Sequence, residues 1–216
     1  MTSSALPNWP VAALLMLASL GLTSCTTVAE GVYGMRRSET VDVPQVREYA
    51  QDYGVGVVPG KSFVLDVSYF EFLKRQPLRL QEVAMNHAQP LQLLYYNRAG
   101  RLISYYVNRY AGGFPNLDWN HDRQLEVFPP VTQAPADSML SFAELAPFLR
   151  TVDGSRVQAM QSFADYTVVV FWSNRMGRQS RRLLAAAQQN LQLAPATKKA
   201  YILYVNNDAY LRHVGL

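Results

Sequence analysis

Thiols are scarce in this chain: Cys25 is its single cysteine. Thiol exchange needs a thiolate nucleophile and a second thiol to resolve the mixed disulfide, so one cysteine permits no intramolecular bridge. Carboxylates gather in Asp118-Trp119-Asn120-His121-Asp122, where oxygen ligands alternate as at the start of a calcium-binding loop. Such a loop turns on Gly at its sixth position and closes with Glu at its twelfth. Here those positions are Arg123 and Pro129, so these residues are read as polar turn formers in an exposed loop. His87, His121 and His213 lack ligand spacing, and a zinc site without cysteines would have to draw carboxylates from afar. No metal and no cofactor is expected. The signatures G-x-S-x-G, H-E-x-x-H and the P-loop are absent,. Asp118 and Asp122 are the first carboxylates to consider for a hydrolase or transferase, because loops carry such chemistry. Arg175 and Arg178 flank a helix opening, where N–H groups and the helix dipole favour an anion or an acidic partner. Arg178 also falls opposite the apolar stripe of that helix, the ordinary place for a solvated side chain.

The setting of Cys25 gives it a different chemistry. Val11 to Leu22 is an apolar run of signal-peptide length, too short to span a bilayer as a helix,. It runs into Leu22-Thr23-Ser24-Cys25, which resembles the bacterial lipobox. That resemblance implies cleavage before Cys25 and a thioether-linked diacylglycerol on its sulfur. Two acyl chains, with a third on the amine, exceed what stable anchoring needs at about 0.8 kcal/mol per buried methylene. No Lys or Arg precedes the run, a departure from the usual basic leader. The other reading makes Val11 to Leu22 a buried helix and Cys25 a free thiol. Thr26 follows the cysteine where Asp would mark inner-membrane retention in enteric bacteria. The resemblance therefore implies a lipid anchor in the cell envelope, on the periplasmic side of the outer membrane.

These residues need elements to position them. PQVREYAQDYG, from Pro44 to Gly54, reads as a short helix with proline near its start and glycine at its C-cap,. Phe63 to Val67 alternates like a strand, and Tyr69 to Lys74 fits either strand or helix,. Pro77 to His87 reads as a helix. Leu91 to Tyr96 and Leu102 to Val107 flank Asn97-Arg98-Ala99-Gly100 and form the clearest hairpin, with its tyrosines as packing partners,. Residues 111–136 carry four prolines and Gly112-Gly113, and a loop of that length is either functional or a crossing between domains,. Ser141-Phe142-Ala143-Glu144 has capping-box form, predicting a helix to about Arg150,. Thr167 to Trp172 reads as a buried strand. Gly177 to about Gln192 reads as an amphipathic helix with Leu183, Leu184, Ala187 and Leu191 on one side,. Tyr201 to Val205 closes a strand-helix-strand unit, which implies parallel strands.

That unit resembles the thioredoxin-like fold over roughly Tyr166 to Asp208. Phe171-Trp172-Ser173 corresponds to the strand end written F-W-A in thioredoxins. Met176 falls where the attacking cysteine would be, Gly177 matches the motif glycine, and Gln179 falls at the resolving cysteine. A thioether cannot ionise and an amide cannot resolve a disulfide, so the resemblance implies a unit without thiol-disulfide exchange. Thioredoxins continue through a helix to a cis-proline and a hairpin, and no such segment follows here. Either the Leu91 to Val107 hairpin supplies the missing half of the sheet in another order, or the unit is a generic α/β crossover.

Length and composition complete the expectation. The 216 residues are 49% apolar and 17% charged, the balance of a globular chain. A net charge of +4 is scattered along the sequence, with no arm suited to nucleic acid. The expected organisation is a leader over 1–24, a tether over 25–40 and a mixed α/β domain over 41–216. That domain is read as single, with 111–136 the candidate place for a subdivision and the thioredoxin-like part at 137–216. The expected role is a redox-inactive binding or scaffold module with an envelope-protein partner, the alternative being a hydrolase or transferase using the 111–136 carboxylates.

Overall fold

The computed structural model describes residues 43–55, 60–113, 116–135, 140–152 and 164–215. The leader, Cys25 and the tether lie outside them. The described chain is mixed α/β, with six strands in one open sheet and six α-helices. Helix α1 is Val43–Asp52, β1 is Ser62–Leu65, α2 is Ser68–Lys74 and α3 is Gln81–His87. The hairpin is β2 (Gln92–Asn97) and β3 (Leu102–Val107). After the 111–136 stretch come α4 (Phe142–Leu145), β4 (Leu149–Thr151), β5 (Tyr166–Trp172), α5 (Gly177–Leu191), β6 (Ala200–Asn206) and α6 (Asp208–His213).

The sheet order is β3-β2-β5-β6-β1-β4. Strands β5, β6 and β1 are parallel neighbours, while β2 lies antiparallel on β5 and β4 antiparallel on β1. The hairpin thus joins β5 in the same sheet, and strands from both sides of the 111–136 stretch share it. Period-two alternation sends Val169 and Phe171 of β5 to one face, and Val168, Val170 and Trp172 to the other,. Both faces are covered, which is why β5 is a continuous apolar run. Tyr69 of α2, Leu145 of α4 and Tyr210 of α6 pack on the first face. Tyr53, just past α1, and Leu183, Leu184 and Ala187 of α5 pack on the second. Tyr95, Tyr96, Tyr105 and Tyr106 of the hairpin are fully buried in these two cores, the packing role expected of them.

Three elements depart from their sequence reading. Strand β1 ends at Leu65, before Val67, because the Asp66 carboxylate accepts from the Ser68 amide at 2.8 Å and turns the chain into α2,. The capping box forms, with Ser141 accepting from the Glu144 amide, yet the α-helix stops at Leu145 rather than near Arg150. Pro147 has no N–H for the next helical bond, so the chain tightens into a 3-10 turn (Ala146–Phe148) and enters β4,. The segment from Pro77 likewise opens as a 3-10 turn (Leu78–Leu80) before α3.

Asp66 also binds β4, through Arg150 Nε and Nη2 at 2.8 Å each. Burial pushes the Asp66 carboxyl up, but the Ser68 hydroxyl and amide and the Arg150 guanidinium outweigh it, so its pKa lies below the ordinary value,. A carboxylate depressed on folding adds stability above its unfolded pKa, and that stability is lost as pH falls through the folded one. Asp66→Asn is therefore expected to be less stable than the parent above about pH 4. The gap should close on further acidification, as read by denaturant midpoints across pH. A gap that is constant with pH would assign the loss to packing alone.

Candidate functional site

The carboxyl ends of parallel strands are where an open α/β sheet leaves room for ligands. Here the ends of β5 and β6 meet the start of α5, which runs back over the second face, and α6, which packs on the first. Asp208 sits between them, 2% exposed. Its carboxylate accepts from the Ser173 hydroxyl, the Asn174 amide at 3.0 Å, the Arg175 amide at 3.4 Å and Asn206 Nδ2 at 2.8 Å. A buried carboxylate requires such donors. They fix the turn that leaves β5. The Ser180 hydroxyl completes it, accepting from the Ser173 amide at 3.1 Å and donating to the Ser173 carbonyl.

Helix α5 then opens with Met176 at the N-cap, where no side chain caps the helix. Gly177 has φ 43°, a left-handed value that only glycine adopts without strain,. Met176 is half-buried and packs on the second core. Gln179, 3% exposed, accepts the Leu117 amide at 3.0 Å through Oε1. Arg178 donates to Asn116 Oδ1 at 3.2 Å, and Arg182 reaches the Leu117 carbonyl at 3.5 Å. Arg175 is half-buried at the turn. The structure thus gathers the sequence-chosen residues Arg175, Met176, Gly177, Arg178 and Gln179 at one helix start. Three of the α5 side chains there hold the 116–117 segment.

That segment belongs to the long irregular stretch, which over its described residues packs on the sheet rather than standing open. Leu117, Trp119 and Leu125 are buried on the second core. Asp118 Oδ1 accepts the Asn120 amide at 3.1 Å, and Asn120 Oδ1 accepts the Leu125 amide at 2.8 Å. Asp122 pairs with His121 at 2.9 Å. These are the turn roles expected of the acidic cluster. Asn190, 1% exposed near the far end of α5, donates to the Leu125 and Val127 carbonyls at 2.7 Å. It also accepts from the Tyr95 hydroxyl at 2.8 Å, which links helix, segment and hairpin. Burial first, and then the charge of Asp122, pushes the Tyr106 phenol well above its ordinary range.

Between this segment and α5 lies an open cleft of about 530 Å³. Ala185 and Ala186 line it from the helix with Arg182 and Gln189, and Asp118, Trp119 and Asn120 from the loop. The loop wall is tightly built: a Cβ on Gly113 would stand 2.8 Å from the Asn116 carbonyl oxygen.

The remaining candidates lie elsewhere. His87 is buried and stacks on Tyr105 with ring centroids 4.7 Å apart, and His213 meets Phe70 edge-on. No group of three or more metal-ligating side chains comes together among the described residues. No helix among them is long and apolar enough to cross a membrane.

Sequence reasoning missed Asp208, Ser173, Ser180 and Asn190. Two of these carried a signal. Ser180 and Asn190 lie three residues before Leu183 and three after Ala187, in phase with the apolar stripe, so burial of a polar group could have been read from the spacing. Comparison with protein-family models, with curated proteins and with solved structures finds no match.

Proposed function

We propose that the chain is a lipid-anchored protein of the bacterial envelope, whose α/β domain is a thioredoxin-like, redox-inactive binding module. The observation that carries the binding role is the start of α5. In thioredoxins two thiols stand there. Here the first position is a thioether packed on the core, and the second is an amide that holds the Leu117 backbone. Neither group can ionise to a nucleophile. The thioredoxin-like reading is supported by the β2–β3 hairpin lying antiparallel on β5, beside the strand that leads into that helix. The anchor rests on the run Val11 to Leu22 and the lipobox-like Leu22-Thr23-Ser24-Cys25. Its partner is an envelope protein, recruited by a domain that the lipid keeps near the membrane.

Cys25→Ala is expected to abolish acylation and move the chain out of the detergent-soluble membrane fraction, read by mass spectrometry of the N-terminus and by fractionation. Unchanged acyl mass or unchanged membrane content would overturn the anchor. Copurification of the wild type from solubilised membranes is expected to recover a specific envelope protein. A second reading, a hydrolase or transferase, is favoured by one observation: Asp118 lines the cleft beside Arg182.

A further inference from the structure

The cleft between α5 and the loop residues Gly113 and 116–120 carries opposite charges that have not closed on each other. Arg182 of the helix wall and Asp118 of the loop wall line the same space, and both are exposed. Among the described residues neither forms an ion pair, with the other or with any third group. The Arg182 guanidinium makes one long contact, to the Leu117 carbonyl at 3.5 Å. That leaves most of a fork of donors suited to a carboxylate. Asp118 accepts one backbone amide through Oδ1, with lone pairs left over for a cation.

We propose that this cleft binds a small zwitterion, of the size of an amino acid or a dipeptide, with its carboxylate on Arg182 and its ammonium on Asp118. This deepens the binding role proposed above and rests on it only in treating the cleft as a ligand site. A volume of about 530 Å³ is that of a small-molecule pocket,. Its alanines give an apolar floor for a side chain, and Asn120 and Gln189 offer amides for a peptide group. Trp119 is among the lining residues as well, with its side chain buried on the second core. The walls are preset by the bonds from Gln179 and Arg178, so binding does not have to order the loop.

The test uses three probes on the full chain in detergent, followed by calorimetry and tryptophan fluorescence: Gly-Leu, its N-acetyl form and its C-terminal amide. Gly-Leu is expected to bind, and each capped form to bind at least about tenfold more weakly, since each loses one charge-assisted contact. In Arg182→Gln the preference for Gly-Leu over its amide should vanish, while the preference over the acetyl form persists. Asp118→Asn should do the converse. The capped probes act on the unaltered protein, so the discrimination stands even where a variant folds poorly. Equal binding of all three probes, or no binding of any at about 10 mM, would overturn the proposal. Loss of discrimination with Cys25-dependent membrane fractionation intact refutes the zwitterion site and spares the anchor. Discrimination without fractionation supports the site and refutes the anchor.

Discussion

Asp208→Ala is expected to lower stability by about 3–5 kcal/mol and to loosen the junction between β5 and α5. The carboxylate accepts from four groups, the Ser173 hydroxyl, the Asn174 and Arg175 amides and Asn206 Nδ2. Three of those residues are buried with it. Each donor left without an acceptor away from water costs roughly 1–3 kcal/mol, and relaxation or an entering water recovers part of the sum. In a chain of this size the loss corresponds to a melting temperature lower by roughly 10 °C. Asp208→Asn should fall between variant and parent, because its amide keeps one accepting oxygen and turns two donor hydrogens toward existing donors. The measurement is paired urea unfolding of the three proteins. A change under about 0.5 kcal/mol, the range of an ordinary surface substitution, would remove Asp208 from the account.

Asn190→Ala should be nearly as costly, for a different reason. Its amide is the only described side chain joining α5, the 125–127 backbone and the hairpin tyrosine Tyr95. Truncation leaves two carbonyls and one hydroxyl without that partner, about 2–4 kcal/mol in total. The damage should be local first. Leu125 and Val127 lose their tie to the helix while Leu117 keeps its bond to Gln179, so limited proteolysis should cut near 125–128 before the sheet unfolds. Cleavage that begins only at the global transition would show that apolar packing of Leu125 alone holds the segment.

The physics of periodicity explains how much of this was readable beforehand. Strand β5 and helix α5 were legible because apolar runs and a 3.6-residue stripe leave one solution for a chain that must bury them. The parallel pairing of β5 with β6 followed from the crossover between them. The hairpin was legible from Gly100, whose φ of 73° serves the tight turn. The order of the sheet was not, because nothing local tells β2 to lie on β5 while β1 lies beyond β6. The early stop of α4 at Leu145 was available from Pro147 and was overridden by the capping box before it. Helix α6 passed unnoticed: its six residues are too few for periodicity to speak. Of the site, the Met176 and Gln179 positions came from resemblance, and their partners came only from the fold. Gln179 meets Leu117 across 62 positions of sequence, and Asp208 meets Ser173 across 35. Side-chain hydrogen bonds of that span leave no local pattern to read.

Central to this site is that side-chain hydrogen bonds at the start of α5 hold the Leu117 backbone and the turn that leaves β5. Amide hydrogen exchange of the wild-type chain tests it most directly, at the amides of Leu117, Asn174 and Arg175, each bonded to a side chain of this site. The expected result is strong protection at all three, approaching that of the β5 core, because opening them requires breaking the junction. Exchange at the rate of a free loop, with β5 still protected, would contradict it.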